Sequence, residues 1–232
     1  MILQPKSWNA VDGRQFHHTR FPGSIVAKYV NASGGRGDFK LLHRIIQNDT
    51  RFGSTGCIVH LRLGDVIDKA TAGVARMWHD WTMSPIKEGD KLVFINRFYV
   101  LPRACFTQLI PKLRQHKCSN LTLVTSLHRA FSAGPTQHVL GDAPQSCEYT
   151  ELVRATFESH GIRVALRVNH TTDDDIRFMY AARVLVKSGG GFSTLMAHLV
   201  HGQGRTVLAP NHWGNQPSHL GEYARKRDVF RC

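Results

Sequence analysis

Short apolar runs alternate with amphipathic stretches from Gly56 to Pro210. Cys57–Leu61, Leu121–Thr125, Ile162–Val168, Val184–Val186 and Thr206–Ala209 are dominated by apolar and β-branched residues, the pattern of strands covered on both faces. Between them the apolar positions fall at helical spacing. Phe106, Leu109, Ile110 and Leu113 predict a helix over Ala104–His116, with Pro111 inside it as a possible kink. Tyr149–His160, Asp173–Ala182 and Phe192–His201 read as further helices, the first ended by Gly161 and the last by Gly202. Asp173, Asp174 and Asp175 crowd the first turn of theirs, where the helix dipole favours negative charge. Gly189-Gly190-Gly191 predicts a tight strand-to-helix turn. Earlier in the chain Phe39, Leu41, Leu42, Ile45 and Ile46 predict a helix running to about Asn48, with Asp38 as its N-cap. Residues 66–100 form a polar and aromatic insert with a short strand at Leu92–Ile95, and residues 127–147 read as a loop.

Strands alternating with helices imply a parallel sheet joined by right-handed crossovers, with helices on both faces. The expected fold is therefore α/β, a Rossmann-like three-layer parallel sheet. The expected division is an irregular N-terminal extension with one helix over 1–55, then a Rossmann-like domain over 56–232. A chain of 232 residues accommodates one such domain and an extra piece, but not two complete doubly wound domains.

Composition narrows the partners. Hydrophobic residues make up 42%, which excludes wholesale disorder. Lys and Arg total 30 against 17 Asp and Glu, a formal net charge of +13 that favours anionic partners. The basic residues are dispersed and no nucleic-acid-binding signature accompanies them, so a nucleic-acid role is not expected. No apolar run is long enough for a membrane span, and no leader pattern is visible at Met1. Cys57, Cys105, Cys118, Cys147 and Cys232 lack CxxC spacing, which argues against zinc and allows one or two disulfides. Asn31, Asn48, Asn120 and Asn169 each head an N-glycosylation tripeptide, which points to the lumen of the endoplasmic reticulum or Golgi.

In doubly wound sheets, ligands bind beyond the carboxyl ends of the strands. Two constellations sit at such ends. In His60-Leu-Arg62-Leu-Gly-Asp65 the guanidinium is a candidate anion clamp. Asp65 holds Arg62, contacts a substrate hydroxyl or caps the next element; an Arg62–Asp65 ion pair of purely structural role is the bland reading. In Ser188-Gly-Gly-Gly191-Phe192-Ser193-Thr194 a glycine turn opens a helix, where backbone N–H groups and the helix dipole suit a phosphate. The run is neither a P-loop nor a dinucleotide fingerprint, and alone it is equally a plain turn with Ser193 as N-cap. Together the two point to a diphosphate between a guanidinium and a helix N-terminus.

Weaker signals complete the survey. Asp173–Asp175 spells a DxD pattern, but its place in a first turn favours helix capping over metal. His198 and His201 share a helix face without a carboxylate beside them, so no metal site is assigned. Arg36-Gly37-Asp38 spells an adhesion tripeptide too short to weigh. Asp68, Trp78, His79, Asp80 and Trp81 of the insert either line an acceptor site or pack a loop.

The motif His60-x-Arg62-x-Gly-Asp65 resembles that of the α1,2-, α1,6- and protein O-fucosyltransferase superfamily. The stretch from Asp174-Asp175 to Phe192-Ser193 is similar to a later motif of that superfamily, and Val207-Leu-Ala-Pro210-Asn-His-Trp213 to a segment of its α1,2 group. The resemblance covers about residues 56–215. It implies the C-terminal, donor-binding half of a GT-B glycosyltransferase and inverting transfer of fucose from GDP-fucose to a sugar or protein hydroxyl. No cofactor or obligatory metal is implied; the partners are the nucleotide-sugar donor and a glycan or glycoprotein acceptor. Arg62 and Asp65 would be catalytic, Arg62 on the β-phosphate. His60 and Asp175 would contact the guanine nucleoside, and Gly191, Phe192, Ser193 and Thr194 the diphosphate. Two alternatives stand beside it: a non-catalytic nucleotide-sugar or glycan-binding remnant, and a transferase using another nucleotide sugar.

Overall fold

The computed structural model describes residues 25, 28, 39–49, 56–68, 73–79, 85–88, 91–94, 100–126, 144–211 and 229–231. The irregular N-terminal stretch, Asp38, Trp81 and Trp213 lie outside them. In chain order the elements are α1 (Phe39–Asp49), β1 (Cys57–Leu61), a 3-10 turn (Gly64–Val66), α2 (Val74–His79), β2 (Pro85–Glu88), β3 (Lys91–Phe94), α3 (Arg103–Gln115), β4 (Asn120–Thr125), α4 (Pro144–Glu158), β5 (Arg163–Val168), α5 (Thr172–Tyr180), β6 (Val184–Val186), α6 (Gly191–Gly202), β7 (Thr206–Asn211) and β8 (Val229–Arg231).

The main sheet runs β5-β4-β1-β6-β7-β8, and every pair in it is parallel. This is the α/β Rossmann-like architecture that the alternation of runs predicts. Among the described residues two apolar layers cover the sheet. Val59, Leu61 and Val186 pack with α2, α3 and α4 through Trp78, Phe106, Leu109, Tyr149 and Phe157. Ile58, Leu185 and Val207 pack with α1, α5 and α6 through Ile46, Ile176, Met179, Met196 and Leu199. Alternation along β1 assigns Ile58 to one layer and Val59 and Leu61 to the other. The helix α1 is thus packed onto the body, with Leu42 and Ile46 buried. A Cβ added at Gly202 would lie 2.6 Å from His43 Nε2, so this glycine serves the close approach of α1 to α6.

Several boundaries differ from expectation. The helix α4 begins at Pro144, inside the expected 127–147 loop. Proline suits a first helical turn, and the Asp68 carboxylate accepts the Gln145 and Ser146 N–H groups at 3.0 and 3.1 Å. That cap comes from a distant segment, which local pattern cannot show. The strand β7 continues through Pro210, because beyond Leu208 its described partner is β8 alone. β8 itself has no counterpart among the apolar runs, nor has β2, which pairs antiparallel with β3 from Pro85↔Phe94 to Glu88↔Lys91. β5 is an edge strand rather than one covered on both faces, and Leu166 is 41% exposed. The helix α3 runs through Pro111, which lies on its exposed side, as does Thr107 one turn before it. Gly161 ends its helix as expected, with φ +77°, and α6 ends at Gly202 as expected, with Gly204 at φ +73° two residues on.

Cys57 and Cys118 form a disulfide that closes a 61-residue separation, and Cys105 is also disulfide-bonded. Among the described residues Cys147 is the free cysteine, and it is exposed. No helix among the described residues is long and apolar enough to cross a membrane. The chain-entropy account assigns a loop of the Cys57–Cys118 size about 4 kcal/mol of stability. Replacing both cysteines by alanine is expected to cost about 2–4 kcal/mol in urea denaturation; an unchanged midpoint would contradict this role.

Candidate functional site

The strand order reverses at β1. The chain runs outward from β1 through β4 to β5, then α5 carries it back across to β6 on the other side. The carboxyl ends of β1 and β6 therefore flank a topological switch point, where a doubly wound sheet opens a crevice. The two constellations of the sequence meet here. His60 Nδ1 and Ser188 Oγ hydrogen-bond at 3.1 Å, both residues buried, across 128 positions of sequence. The His60 and Phe192 rings lie 5.5 Å apart at 59°.

The glycine turn is held from within. The Ser188 N–H donates to Ser193 Oγ at 3.0 Å, and Thr194 Oγ1 donates to the Gly190 carbonyl at 3.0 Å. Both hydroxyls are thus engaged in shaping the turn. Gly190, at φ +90°, is the N-cap residue of α6, and no side chain caps this helix. Ser193 is a residue of the first turn rather than its N-cap. With the first intrahelical bond running from Thr194 N to Gly190 O, the N–H groups of Gly191, Phe192 and Ser193 have no intrahelical partner. These amides and the helix dipole make the turn a candidate for an anion.

Opposite the turn, burial drives His60 down to about 3, and the nearby Arg62 charge adds to the effect. The imidazole is neutral, with one donor and one acceptor nitrogen. The backbone after Arg62 is clamped: the Gly64 N–H donates to Ser146 Oγ at 2.9 Å, and the Ser146 hydroxyl donates to the Asp68 carboxylate. Gly64 adopts φ +68° to make this turn, and its carbonyl accepts the Ile67 and Asp68 N–H groups at 3.1 and 2.9 Å. Asp65 lies within the 3-10 turn, one residue beyond Gly64.

Asp175 sits at the same edge of the sheet, in the first turn of α5, and is buried. Its carboxylate accepts from Arg167 Nε at 2.9 Å. Burial raises its pKa, with the Arg167 hydrogen bond and charge pulling the other way. Arg167 also stacks 4.5 Å over the Phe178 ring. Sequence reasoning missed Arg167, because a lone arginine at a strand end carries no spacing signal. It also missed Ser146, and named Asp68 as lining an acceptor site or packing a loop rather than as the cap of α4, because their partners are remote in sequence. Trp78, a candidate acceptor-lining residue, is instead core: it stacks 5.6 Å from Phe106 and meets Tyr149 edge-on. His79 is exposed.

An open cavity of about 620 Å³ lies at the opposite, amino-terminal edge of the sheet, lined by Gly56, Lys117, Asn120, Arg163 and Arg183 among others. It contains none of the motif residues. Among the described residues no group of three His, Cys, Asp or Glu side chains is placed to hold a metal ion.

No family model matches the chain, and no curated protein matches it. Among solved structures, POFUT1 in complex with GDP-fucose aligns with a TM-score of 0.38 and 8% identity, over 79% of this chain and 57% of that one. A second crystal form of the same complex gives 0.39 and 10%, over 79% and 58%. POFUT1 with GDP gives 0.36 and 10%, over 78% and 56%. The chain spans a little over half the length of these structures.

The buried histidines make stability pH-dependent. His60 is held down at about 3, His198 at about 4, and burial also lowers His43. Unfolded histidine binds its proton near 6.5, so the unfolded chain binds more protons over the window from about 6.5 down to 3. Stability is therefore complete above about pH 6.5 and falls on acidification through that window. His60→Gln is expected to lose less stability than the wild type between pH 7 and pH 4.5 in denaturant titrations. Equal losses would show that His60 ionises freely in the fold.

Proposed function

We propose that the switch-point edge binds a nucleotide sugar and that the chain is the donor-binding portion of a glycosyltransferase, transferring fucose from GDP-fucose to a hydroxyl of a glycan or glycoprotein. The observation that supports this most is the His60–Ser188 hydrogen bond at 3.1 Å, because it joins the arginine motif and the glycine turn at one crevice. Arg62 contacts the β-phosphate, and the amides of Gly191, Phe192 and Ser193 receive the diphosphate oxygens. Ser193 and Thr194 serve by shaping the turn. Neutral His60 and the Arg167-braced Asp175 face the nucleoside.

The acceptor hydroxyl oxygen attacks the anomeric carbon as the bond from that carbon to the diphosphate oxygen breaks. The electron pair leaves with GDP, the anomeric configuration inverts and the acceptor proton passes to a base. Negative charge grows on the departing diphosphate, and a fixed guanidinium beside a helix N-terminus stabilises it without reorganising. Asp65, adjoining the clamped turn, is the second residue assigned to the chemistry. Neither a cofactor nor an obligatory metal enters this scheme. We place the protein in the lumen of the endoplasmic reticulum or Golgi, on the four glycosylation tripeptides and the disulfide bonding.

Isothermal titration with GDP and GDP-fucose tests the reading. Arg62→Ala is expected to weaken GDP binding about 10- to 100-fold, since a charge-assisted contact contributes about 1.5–3 kcal/mol. Wild-type protein that binds no GDP, or an alanine variant that binds it equally, rules the assignment out. Tighter binding of UDP or dTDP would redirect it to another donor. Expression through a secretory pathway is expected to add an endoglycosidase-sensitive glycan at exposed Asn48; bare protein would argue against the lumen.

A further inference from the structure

A row of side chains crosses the carboxyl edge of the sheet on the face of α5 and α6. His60 of β1 pairs with Val124 of β4, and Val124 pairs with Arg167 of β5. Partners in a parallel ladder point to one face, and Val124 is buried in the layer of α1, α5 and α6. Arg167 therefore stands two strand spacings, about 10 Å, from His60 on that face. This separation is the reach of a nucleotide from its phosphates to its base. With the diphosphate at the glycine turn beside His60, the base falls on Arg167 and Asp175.

The far end of the row is a preorganised pair. Arg167 donates from Nε to Asp175 Oδ1 at 2.9 Å, and the two side chains are 19% and 10% exposed. Arg167 Cζ lies 4.5 Å over the Phe178 ring, one turn along α5 from Asp175, so packing and the hydrogen bond together hold the guanidinium in place. Asp174 does not compete for it, because that carboxylate engages Thr171 and Arg177. The pair spends one N–H and one carboxylate oxygen on itself. The terminal nitrogens of Arg167 and Oδ2 of Asp175 make no hydrogen bond among the described residues. None of these atoms is sealed from water. A donor fork and a carboxylate acceptor thus lie side by side with free valences at the rim of the site.

We propose that Arg167 reads the base of the nucleotide bound at this edge, its terminal N–H groups donating to the O6 carbonyl of guanine while Asp175 Oδ2 accepts from the adjoining N–H donors. This rests on the reading of the switch-point edge as a GDP site, and assigns the residue that selects the base there. Guanine presents an acceptor beside two donors, the complement of a guanidinium beside a carboxylate. Adenine presents the reverse, an amino donor toward the guanidinium and a ring acceptor toward the carboxylate. Both protein groups then lose water without gaining a partner.

Calorimetry of the wild type, Arg167→Met and Arg167→Lys with GDP, 6-thio-GDP, ADP and inorganic diphosphate tests this. The thio analogue weakens the acceptor at position 6 and leaves the two donors of the base in place. The wild type is expected to prefer GDP over both ADP and 6-thio-GDP. Arg167→Met is expected to bind GDP about tenfold or more less tightly. It is also expected to bind GDP and 6-thio-GDP alike and to hold inorganic diphosphate as the wild type does. Arg167→Lys keeps the charge beside Asp175 and gives up the planar fork, so it recovers only part of the GDP affinity. It carries the same GDP to 6-thio-GDP comparison should the methionine variant fail to fold. An unchanged GDP to 6-thio-GDP ratio in the variants shows that Arg167 only braces Asp175, which overturns the base contact and leaves the donor reading intact. Wild-type protein that binds ADP as tightly as GDP, with binding still lost in Arg62→Ala, overturns the base contact and keeps a diphosphate site. Wild-type protein that binds none of these probes overturns the donor reading, and the base contact with it.

Discussion

Parallel strands can be joined only by crossovers, and here the crossovers change direction at β1. That reversal leaves β1 flanked by β4, reached early, and β6, reached last of the central strands. The remaining features of the site follow from this constraint. His60 ends beside Ser188 because the two strands that carry them are neighbours in register. The glycine turn and Arg62 share one edge of the sheet because β6 lies beside β1.

Burial then sets the electrostatic character of that edge. His60 is enclosed between sheet and helix and gives up its charge, which leaves a neutral hydrogen-bonding ring among cations. The uncapped start of α6 adds partial positive charge, and the serine and threonine hydroxyls that might have capped it are spent on the turn. The Asp68–Ser146–Gly64 circuit fixes the backbone that follows Arg62, so the guanidinium springs from a rigid base. An edge of this kind suits a ligand whose negative charge is concentrated in a diphosphate, and it accounts for some of the +13 charge without invoking nucleic acid.

Local pattern revealed the central elements well, because strands buried on both faces have to be apolar throughout. Cys57–Leu61 and Val184–Val186 stand where the apolar runs placed them. It failed where a partner outside the local segment decided the outcome. The start of α4 is polar in sequence and helical in the fold because Asp68 caps it from another loop. β2 and β8 carry too few residues to signal themselves and exist through pairing. Trp78 looked like a sugar platform by residue type, yet packing against Phe106 and Tyr149 put it in the core.

The sequence by itself determined the fold class and the chemistry of two motifs, because hydrophobic period and glycine placement act over a few residues. It named Arg62 and the glycine turn as anion-binding candidates. Tertiary structure alone decided that the two meet at one edge of the sheet. It turned Ser193 and Thr194 into braces of the turn and gave Asp175 an arginine partner. Those outcomes depend on which strands become neighbours and which groups lose water, and both are properties of the assembled sheet.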